Sequence, residues 1–483
     1  MKIYIACGLT HVPREFFDEY VSFIHQLADA LRKSIGSCDV KYALVNTPMK
    51  NIVICCDGTG NEISENISNV LKLYRTLRKT EKTTPRQMVF YDPGVGTLAR
   101  PNPWKKLVQD ASAIFGLATG YGLDDNVLNS YEFIVDNYDD DDEIWLFGFS
   151  RGAYTVRVLA GLIHKVGLIA KQQVNLAGSG LTAYKQFSSD IAQPDGGLDL
   201  AQFTDAGAAD PGPKSKEDQA AQYARILSVK WPTIKFVGVW DTVDSVIVPR
   251  PDRFYLPSLQ VLAFVHENPS IEIFRQAISI DEKRRLFRLQ PWKEGGKFWP
   301  SRWSPPDKRK DQDSLQVWFA GVHADIGGGY PEIQSGLSKC PLLWMIEEAV
   351  KCGLKVDRAT VNQLGWGRQR KNSPFSYVRP DYMAMLHNSL TWAWWILEFI
   401  PKRAKYKEWP DRQVCFGSRF GFYFPDGEPR LIPEGAFIHQ SALDRIAQDP
   451  NYQPVNMPAK YQTIPMLTAA VEPAHDDEEQ GEG

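Results

Sequence analysis

The chain of 483 residues carries 55 Lys and Arg against 58 Asp and Glu, and 43 % of its residues are hydrophobic. This composition is that of a folded globular protein, which excludes a fibrous or wholly disordered chain. The net charge of −3 gives no overall attraction to nucleic acid, so an anionic partner would need a local basic patch. The seven cysteines show no repeated CxxC spacing, which favours reduced, buried thiols in a cytoplasmic protein.

Residues 1–48 are predicted to form a small α/β unit of unknown role. Strand patterns occupy residues 2–7 and 40–45, and a helical pattern runs over residues 14–31 between them. No secretory signal peptide is recognised at the N-terminus, and no segment reaches the ~20 apolar residues that a membrane-spanning helix needs. We therefore expect the protein to be cytoplasmic in the cell that makes it.

The main body, predicted at residues 49–450, alternates short apolar runs with helical patterns. Unbroken apolar strands separated by helices are typical of a parallel sheet covered on both faces, so the predicted class is α/β, with a mostly parallel central sheet. The apolar runs are residues 52–56, 88–91, 143–149, 234–240 and 315–322. Insertions that could act as lids or membrane-docking segments are expected at about 166–230, 283–312 and 389–403, and a C-terminal extension with a disordered acidic tail at 451–483.

Ser150 lies in the pattern Gly-Phe-Ser-Arg-Gly between a predicted strand and a predicted helix. The GxSxG pattern is typical of a nucleophile elbow, because its two glycines leave room for a sharp turn from strand to helix. A serine that simply caps a helix would give the same pattern. The motif alone supports the two interpretations about equally.

A serine nucleophile requires a base and an acid from later strand ends, in the chain order Ser, acid, His. Asp241 follows the run at 234–240, and His323 follows the run at 315–322 and opens the sequence HADIGGGY. Asp244 is the alternative acid, and His439 is the main rival base. The pattern favours Ser150, Asp241 and His323 as a proton relay.

An ester hydrolase of this kind also needs backbone N–H groups to stabilise an oxyanion. The expected donors are Arg151 and the turn Gly58–Thr59 in the sequence DGTGN, although that sequence is also compatible with a bare turn.

DGT also ends the DxDGT signature of haloacid dehalogenase phosphatases. Cys55 stands at the first Asp position of that signature, so an aspartyl-phosphate could not form there. The ester chemistry requires no metal and no other cofactor.

Several segments together resemble a known family: CCDGTGN, NVLKLY, YDPGVGT, GLDDNVLNSYEFI, DEIWLFGFSRGAYTVR, FVGVWDTV, AISIDEKRRLFR, VWFAGVHADIGGGY and IHQSALDRI. In this order, from about residue 51 to 450, they resemble the α/β-hydrolase catalytic domain of the first family of type VI secretion phospholipase effectors. The resemblance implies a serine lipase with Ser150, Asp241 and His323 as its triad and phospholipase A activity on glycerophospholipids.

The resemblance also implies a biological setting. A secretion system would deliver the protein to the periplasm or membrane of a rival bacterium, with an immunity protein or a secretion-apparatus component as a partner. The alternative is a catalytically silent module that keeps the hydrolase fold to bind a lipid or protein.

Two segments are candidates for contact with a phospholipid membrane. Residues 389–403 are too short to span a bilayer but long enough to lie at its surface; a buried helix is the competing interpretation. The candidate docking residues there are Trp392, Trp394, Trp395 and Phe399. Residues 283–310 interleave tryptophans with basic residues, and we interpret them first as a solvated loop and second as a lipid-docking face. A nucleic-acid groove ranks last because nothing else in the chain is basic, so no nucleic-acid partner is expected.

Overall fold

The computed structural model of the chain describes residues 2–8, 22, 26, 39–45, 49–58, 66–94, 122–190, 218–243, 247–249, 257–259, 262–371, 373–399, 401–403, 407–409 and 421–467. Eight strands of these residues form one sheet, in chain order β1 Lys50–Cys56, β2 Arg86–Asp92, β3 Glu143–Phe149, β4 Ile234–Trp240, β5 Ile271–Ser279, β6 Asp313–Phe319, β7 Phe437–His439 and β8 Gln462–Ile464. Their order across the sheet is β2-β1-β3-β4-β5-β6-β7-β8, and each neighbouring pair is parallel.

The α-helices of the described residues are α1 Asn69–Thr76, α2 Leu123–Asn137, α3 Arg151–Val166, α4 Ala177–Asp190, α5 Gln219–Leu227, α6 His323–Gly327, α7 Gly336–Lys351, α8 Arg358–Leu364, α9 Trp392–Glu398 and α10 Gln440–Gln448. Short 3-10 helices lie at Lys171–Leu176, Pro306–Lys308 and Glu332–Gln334. Small two-stranded sheets pair Lys2–Gly8 with Asp39–Val45, Leu168–Ile169 with Ser228–Lys230, Ile247–Pro249 with Pro257–Leu259, Lys297–Phe298 with Lys310–Asp311, and Lys402–Arg403 with Phe422–Tyr423.

Strand β1 shows how the sheet is covered on both faces. Ile52 and Ile54 pack into a hydrophobic cluster with residues of α2, α3 and α4, whereas Val53 and Cys55 pack into a second cluster with residues of α1 and α7. Because side chains alternate between the two faces of a strand, a strand buried on both faces is apolar at every position. The predicted α/β-hydrolase class, with a parallel central sheet between helices, is confirmed.

The strand order places a crevice where functional groups can meet. Strand β1 pairs with β2 on one side and with β3 on the other, so the direction in which strands are added reverses between β1 and β3. In open parallel sheets, ligands bind outside the carboxyl ends of the strands at such a switch point. The elbow that follows β3 and the Asp57–Gly58 turn that follows β1 both lie at that edge.

The predictions for the two ends of the chain agree only in part with the observed secondary structure. Strands occur in both predicted N-terminal strand regions, whereas most of the predicted helix at 14–31 lies outside the described residues, as does the acidic tail. The segment 462–464, expected to be part of an extension, forms the edge strand β8 of the main sheet. Its three residues are too few and too polar to give a recognisable strand pattern. No helix among the described residues is long and apolar enough to cross a membrane.

The region expected as an insertion at 166–230 is partly core. Leu181, Tyr184 and Phe187 of α4 are buried in the cluster on one face of the sheet. Residues 191–217, in the middle of this predicted insertion, lie outside the described residues. Helix α4 of this region therefore packs on the sheet as part of the core.

The substitution Ile54→Ala tests the assignment of β1 to the centre of the core. Ile54 is 0 % exposed, so the lost transfer energy and the remaining cavity should lower the free energy of unfolding by about 2–5 kcal/mol. Ile333 is 83 % exposed, and Ile333→Ala should change the same free energy by less than about 0.5 kcal/mol. Urea unfolding followed by tryptophan fluorescence measures both; equal losses would contradict the assignment.

Candidate active site

Ser150 links β3 to α3 in a strained backbone conformation. Its φ is 57° and its ψ is −122°, a region that costs a non-glycine residue about 1–3 kcal/mol and is found mainly at functional sites. The Ser150 side chain makes no capping hydrogen bond to α3, so the helix-capping interpretation is wrong. The Ser150 hydroxyl therefore does not cap the N-terminus of α3.

Two glycines make this turn possible. A Cβ atom on Gly148 would lie 2.5 Å from the carbonyl oxygen of Gly152, and a Cβ on Gly152 would lie 2.1 Å from the carbonyl oxygen of Cys56. Both distances are far below van der Waals contact, so any side chain would displace the backbone. The N–H of Ser150 also donates to the carbonyl oxygen of Trp240 at 3.1 Å, which ties the turn to the end of β4.

The structure brings Asp241 and His323 together. Asp241 follows β4 with a φ of 42°, and His323 is the first residue of α6, just after β6. The Nδ1–H of His323 donates to Oδ2 of Asp241 at 2.5 Å, and the N–H of Ser279 donates to Oδ1 at 3.0 Å. Residues 82 positions apart thus form the acid–base half of the predicted relay.

Aromatic rings enclose the imidazole of His323. Its ring centroid lies 4.7 Å from that of Phe149 and 4.9 Å from that of Phe287. Because Phe149 immediately precedes Ser150, this contact places the imidazole beside the elbow. Nε2 of His323 is buried and forms no hydrogen bond with the described residues, the Ser150 hydroxyl included. In unliganded enzymes this contact is often long and tightens when substrate binds.

The electrostatics of the pair suit a general base. Burial opposes ionisation of Asp241, but the Arg430 guanidinium and His323 outweigh it, so the pKa of this carboxyl lies well below its usual range. Burial is also the main effect on His323 and lowers the pKa of the imidazole, although Asp241 acts in the opposite direction. At neutral pH the pair therefore consists of a carboxylate and a neutral imidazole, the form that can accept a proton.

The rival base identified from the sequence has a structural role. His439 is 2 % exposed, its Nδ1 is hydrogen-bonded to Ser441 Oγ at 2.7 Å, and it caps α10. Burial lowers the pKa of His439 to about 3, so this imidazole stays neutral over the physiological range. The alternative acid, Asp244, lies outside the described residues.

The Asp57–Gly58 turn is ordered by its own carboxylate. Tyr91 donates its hydroxyl to Asp57 Oδ2 at 2.8 Å, and Ser68 donates to the same oxygen. The N–H of Gly58 donates to Asp57 Oδ1 at 2.7 Å and is thus already engaged. Thr59, the other predicted donor on this turn, lies outside the described residues. Arg151, the remaining predicted donor, is the first residue of α3 and is buried.

Helix α9, the core of the predicted docking segment, lies next to these aromatic rings. The ring centroid of Trp394 is 5.4 Å from that of Phe287, and Trp394 and Trp395 are each half-buried. Trp392 is 73 % exposed and Phe399 is 64 % exposed. Trp392 at the start of α9 and Phe399 just after its end therefore present apolar surface to solvent, whereas Glu398 at its end is buried.

The second candidate segment, residues 283–310, is partly buried and partly exposed. Trp292 and Trp299 are buried, and Trp303 is 69 % exposed. Several of its basic side chains bind acids or backbone carbonyls: Arg284 with Glu282, Arg288 with Glu408 and Glu428, Lys293 with Glu267, Lys297 with Asp311, and Arg302 with the carbonyl oxygens of His164 and Lys165. About half of the segment is exposed, as a solvated loop would be, whereas Trp292 and Trp299 belong to the core.

Two charged residues that sequence reasoning did not single out complete the site. Glu282 accepts the backbone N–H of His323 at 3.2 Å and two hydrogen bonds from the Arg284 guanidinium, each at 2.9 Å. Although burial opposes ionisation, Arg284 helps to lower the pKa of Glu282 to about 2. Arg430 donates to both oxygens of Asp241. Glu282 lies in the quoted segment AISIDEKRRLFR, whereas Arg430 follows Asp241 by 189 positions with no motif to connect them.

A separate cavity of about 370 Å³ lies behind α7. Its lining includes Leu343, Trp344, Trp366, Tyr382 and Leu467, but none of the three residues of the predicted relay. The candidate chemistry therefore does not depend on this cavity.

Among the described residues, no group of three or more His, Cys, Asp or Glu side chains is arranged to hold a metal ion.

The parallel sheet and the strained serine turn define an α/β-hydrolase fold. The family described as "T6SS, Phospholipase effector Tle1-like, catalytic domain" matches residues 50–348, which is more than half of the chain. The chain belongs to this family of type VI secretion phospholipase effectors, and the resemblance seen in the sequence is confirmed.

Similarity to individual proteins is lower. The chain is 22 % identical over 575 aligned positions to "Uncharacterized protein YEL023C" of Saccharomyces cerevisiae, covering 85 % of this chain and 80 % of that protein. A crystal structure of an uncharacterized protein from Pseudomonas aeruginosa has a TM-score of 0.34 at 16 % identity, covering 74 % of this chain and 52 % of that one. The Tle1 effector bound to the VgrG spike of the type 6 secretion system has a TM-score of 0.30 at 18 % identity, covering 60 % of this chain and 53 % of that one. The chain thus spans about half the length of the solved structures it matches.

The substitution Gly327→Ala tests the packing that holds the imidazole. A Cβ on Gly327 would lie 1.9 Å from Cε2 of Phe149, so the ring that contacts His323 would have to move, at a cost of about 1–3 kcal/mol in the free energy of unfolding. Gly178 is an exposed glycine in α4 whose Cβ would meet only Leu128 Cδ1, at 4.0 Å. The control Gly178→Ala should be neutral or stabilising by up to about 1 kcal/mol. Urea unfolding of both variants measures the difference, and a neutral Gly327→Ala would disprove the close packing.

Proposed function

We propose that this protein is a serine carboxylic-ester hydrolase, specifically a phospholipase A that cleaves acyl esters of glycerophospholipids. The observation that carries the proposal is the strained Ser150, whose hydroxyl takes no part in capping α3. The hydrogen-bonded Asp241–His323 pair at the same sheet edge supports it, and so does membership of a phospholipase effector family.

In the proposed reaction, Ser150 Oγ attacks the carbonyl carbon of the ester while Nε2 of His323 takes the hydroxyl proton. Asp241 keeps Nδ1 protonated and stabilises the imidazolium that forms. When the tetrahedral intermediate collapses, the bond to the alcohol oxygen breaks and His323 returns the proton to it, which releases a lysophospholipid. Water, activated by the same imidazole, then hydrolyses the acyl-serine and releases a fatty acid.

The oxyanion of the tetrahedral intermediate needs donors close to Ser150. The N–H of Arg151 at the start of α3 is the first proposed donor, and its helix also presents a positive dipole end there. The Gly58–Thr59 turn is proposed to supply the second. Because the Gly58 N–H is engaged by Asp57, Thr59 is the better candidate of the two.

Membrane docking is proposed to occur through α9. Trp392 and Phe399 expose apolar surface, and Trp394 connects the helix to the rings around His323. Aromatic side chains favour the boundary between lipid and water, so such a helix can lie in the interface with the catalytic site beside it. Delivery by a type VI secretion system to the periplasm or membrane of a rival cell, with a secretion-apparatus component or an immunity protein as partner, is the proposed setting.

A fluorophosphonate probe tests the nucleophile, because it reacts covalently with an activated serine hydroxyl. Wild-type protein should be labelled at Ser150, and Ser150→Ala should abolish labelling and reduce fatty-acid release from phospholipid vesicles by about 10³-fold or more. The matched control Ser301→Ala removes an exposed serine hydroxyl and should leave both signals unchanged.

The same experiment separates the enzyme from the alternative of a catalytically silent module. Wild-type protein that binds vesicles but is neither labelled nor hydrolytic would support the silent module and disprove the proposed reaction. Hydrolysis that survives in Ser150→Ala would show that another group is the nucleophile.

The double variant Trp392→Ala/Phe399→Ala tests docking through α9. If both side chains enter the lipid interface, losing them should weaken binding to phosphatidylethanolamine–phosphatidylglycerol vesicles by about tenfold or more. Trp303 is 69 % exposed and provides the control Trp303→Ala, which should bind like the wild type. Vesicle co-sedimentation measures both, and loss of binding in Trp303→Ala alone would move the docking face to residues 283–310.

A further inference from the structure

Arg430 contacts the acid of the proposed catalytic relay from outside the segment that the family model covers. Its guanidinium is buried, with 1 % of the side chain exposed. Nη1 donates to Asp241 Oδ1 at 2.5 Å and Nη2 donates to Oδ2 at 3.1 Å. The same nitrogens also donate to the carbonyl oxygens of Phe287 at 2.6 Å and Ser279 at 3.3 Å. The guanidinium thus binds the Asp241 carboxylate and, in addition, two backbone carbonyl oxygens, those of Ser279 and Phe287.

The position of Arg430 is itself fixed by its surroundings. Asn456 donates through Nδ2 to the carbonyl oxygens of Arg430 at 3.0 Å and Ile280 at 2.9 Å. Tyr452 donates its hydroxyl to Asp281 Oδ2 at 2.8 Å. The C-terminal segment is therefore hydrogen-bonded to the loop that follows β5, next to the catalytic site.

We propose that Arg430 is a positioning residue of the catalytic site, which acts by holding both carboxylate oxygens of Asp241 in the orientation that His323 requires. A planar guanidinium matches a carboxylate with two parallel donors, a geometry that a lysine ammonium cannot reproduce. With Oδ1 bound by Ser279 and Arg430, the carboxylate cannot rotate away from the imidazole. The effect on rate rests on the proposed function, whereas the effect on the titration of His323 does not.

The positive charge of Arg430 has a second consequence. The charged groups that act on the imidazole are Asp241, Glu282 and Arg284, and Arg430 binds both oxygens of Asp241. Two cations balance two carboxylates, and this limits how strongly the acids favour the imidazolium. Removing the charge of Arg430 should therefore raise the pKa of His323. A base with a raised pKa stays protonated to higher pH, so the acidic limb of kcat/KM should move to higher pH.

The experiment is a titration of His323 by NMR in full-length protein labelled with ¹³C-histidine, with the signal assigned from His323→Gln. Arg430→Met should raise the pKa of His323 by about one unit, as expected for loss of one charge at short range. Arg445→Met is the matched control, because Arg445 is a buried arginine that donates to the carbonyl oxygens of Tyr382 and Ala384 instead. It should leave the titration of His323 unchanged.

Kinetics on phospholipid vesicles give the second readout. Arg430→Met should lower kcat by about tenfold or more with little change in KM, because positioning of the base affects the chemical step. Arg430→Lys keeps the positive charge but lacks the two parallel donors of the guanidinium. This variant should therefore show the wild-type titration of His323 but a lower kcat than the wild type. If Arg430→Met does not fold, Arg430→Lys still tests the proposal, because wild-type kcat in that variant would show that the two parallel guanidinium donors are not needed.

Three results would overturn the proposal: an unchanged titration in Arg430→Met, an equal shift in Arg445→Met, or full kcat in Arg430→Lys. A wild-type protein without hydrolysis or fluorophosphonate labelling would instead disprove the proposed function. The titration of His323 would then still determine whether Arg430 acts on the pair.

Discussion

The ionised, fully buried carboxylate of Asp241 is the constraint on which the site depends. An isolated carboxylate removed from water costs several kcal/mol, and the cost is tolerable only if charged or hydrogen-bonding partners surround it. Here the partners are the Ser279 N–H at the end of β5, the imidazole after β6 and the guanidinium of Arg430. Satisfying one buried charge therefore requires three distant parts of the chain to pack against the carboxyl edge of the sheet.

The sheet provides the rigid frame for this arrangement. Strands β3, β4 and β6 end at the same edge; Ser150 and Asp241 directly follow β3 and β4, and His323 lies at the start of α6, just beyond β6. Two of these residues, Ser150 and Asp241, have positive φ values, so strain is concentrated where the backbone leaves the sheet. Packed strands buried on both faces can maintain such strain, whereas a mobile loop would relax.

The aromatic rings around His323 connect chemistry to surface. Phe149 and Phe287 cover the imidazole, and Phe287 also packs against Trp394 of α9. This cover lowers the local dielectric, which strengthens the interaction between the imidazole and Asp241. Trp392 at the start of this helix and Phe399 just after its end are exposed. Phe287, one of the rings that shield the base, thus packs directly against the helix proposed to meet a lipid surface.

The sequence by itself determined the α/β class, the strands β1, β2, β3, β4 and β6 of the central sheet, and the glycine-flanked serine, because these depend on local periodicity and on residue types near one another. It also placed Asp241 and His323 directly after strands. Strand β5 was not among the predicted runs. The sequence did not reveal Arg430, the contact of Glu282 with His323, the strand β8, or the burial of Trp292 and Trp299. Only the tertiary structure decided these features, because the partner of a buried charge or ring is set by which distant segments pack together, and no local pattern encodes that choice.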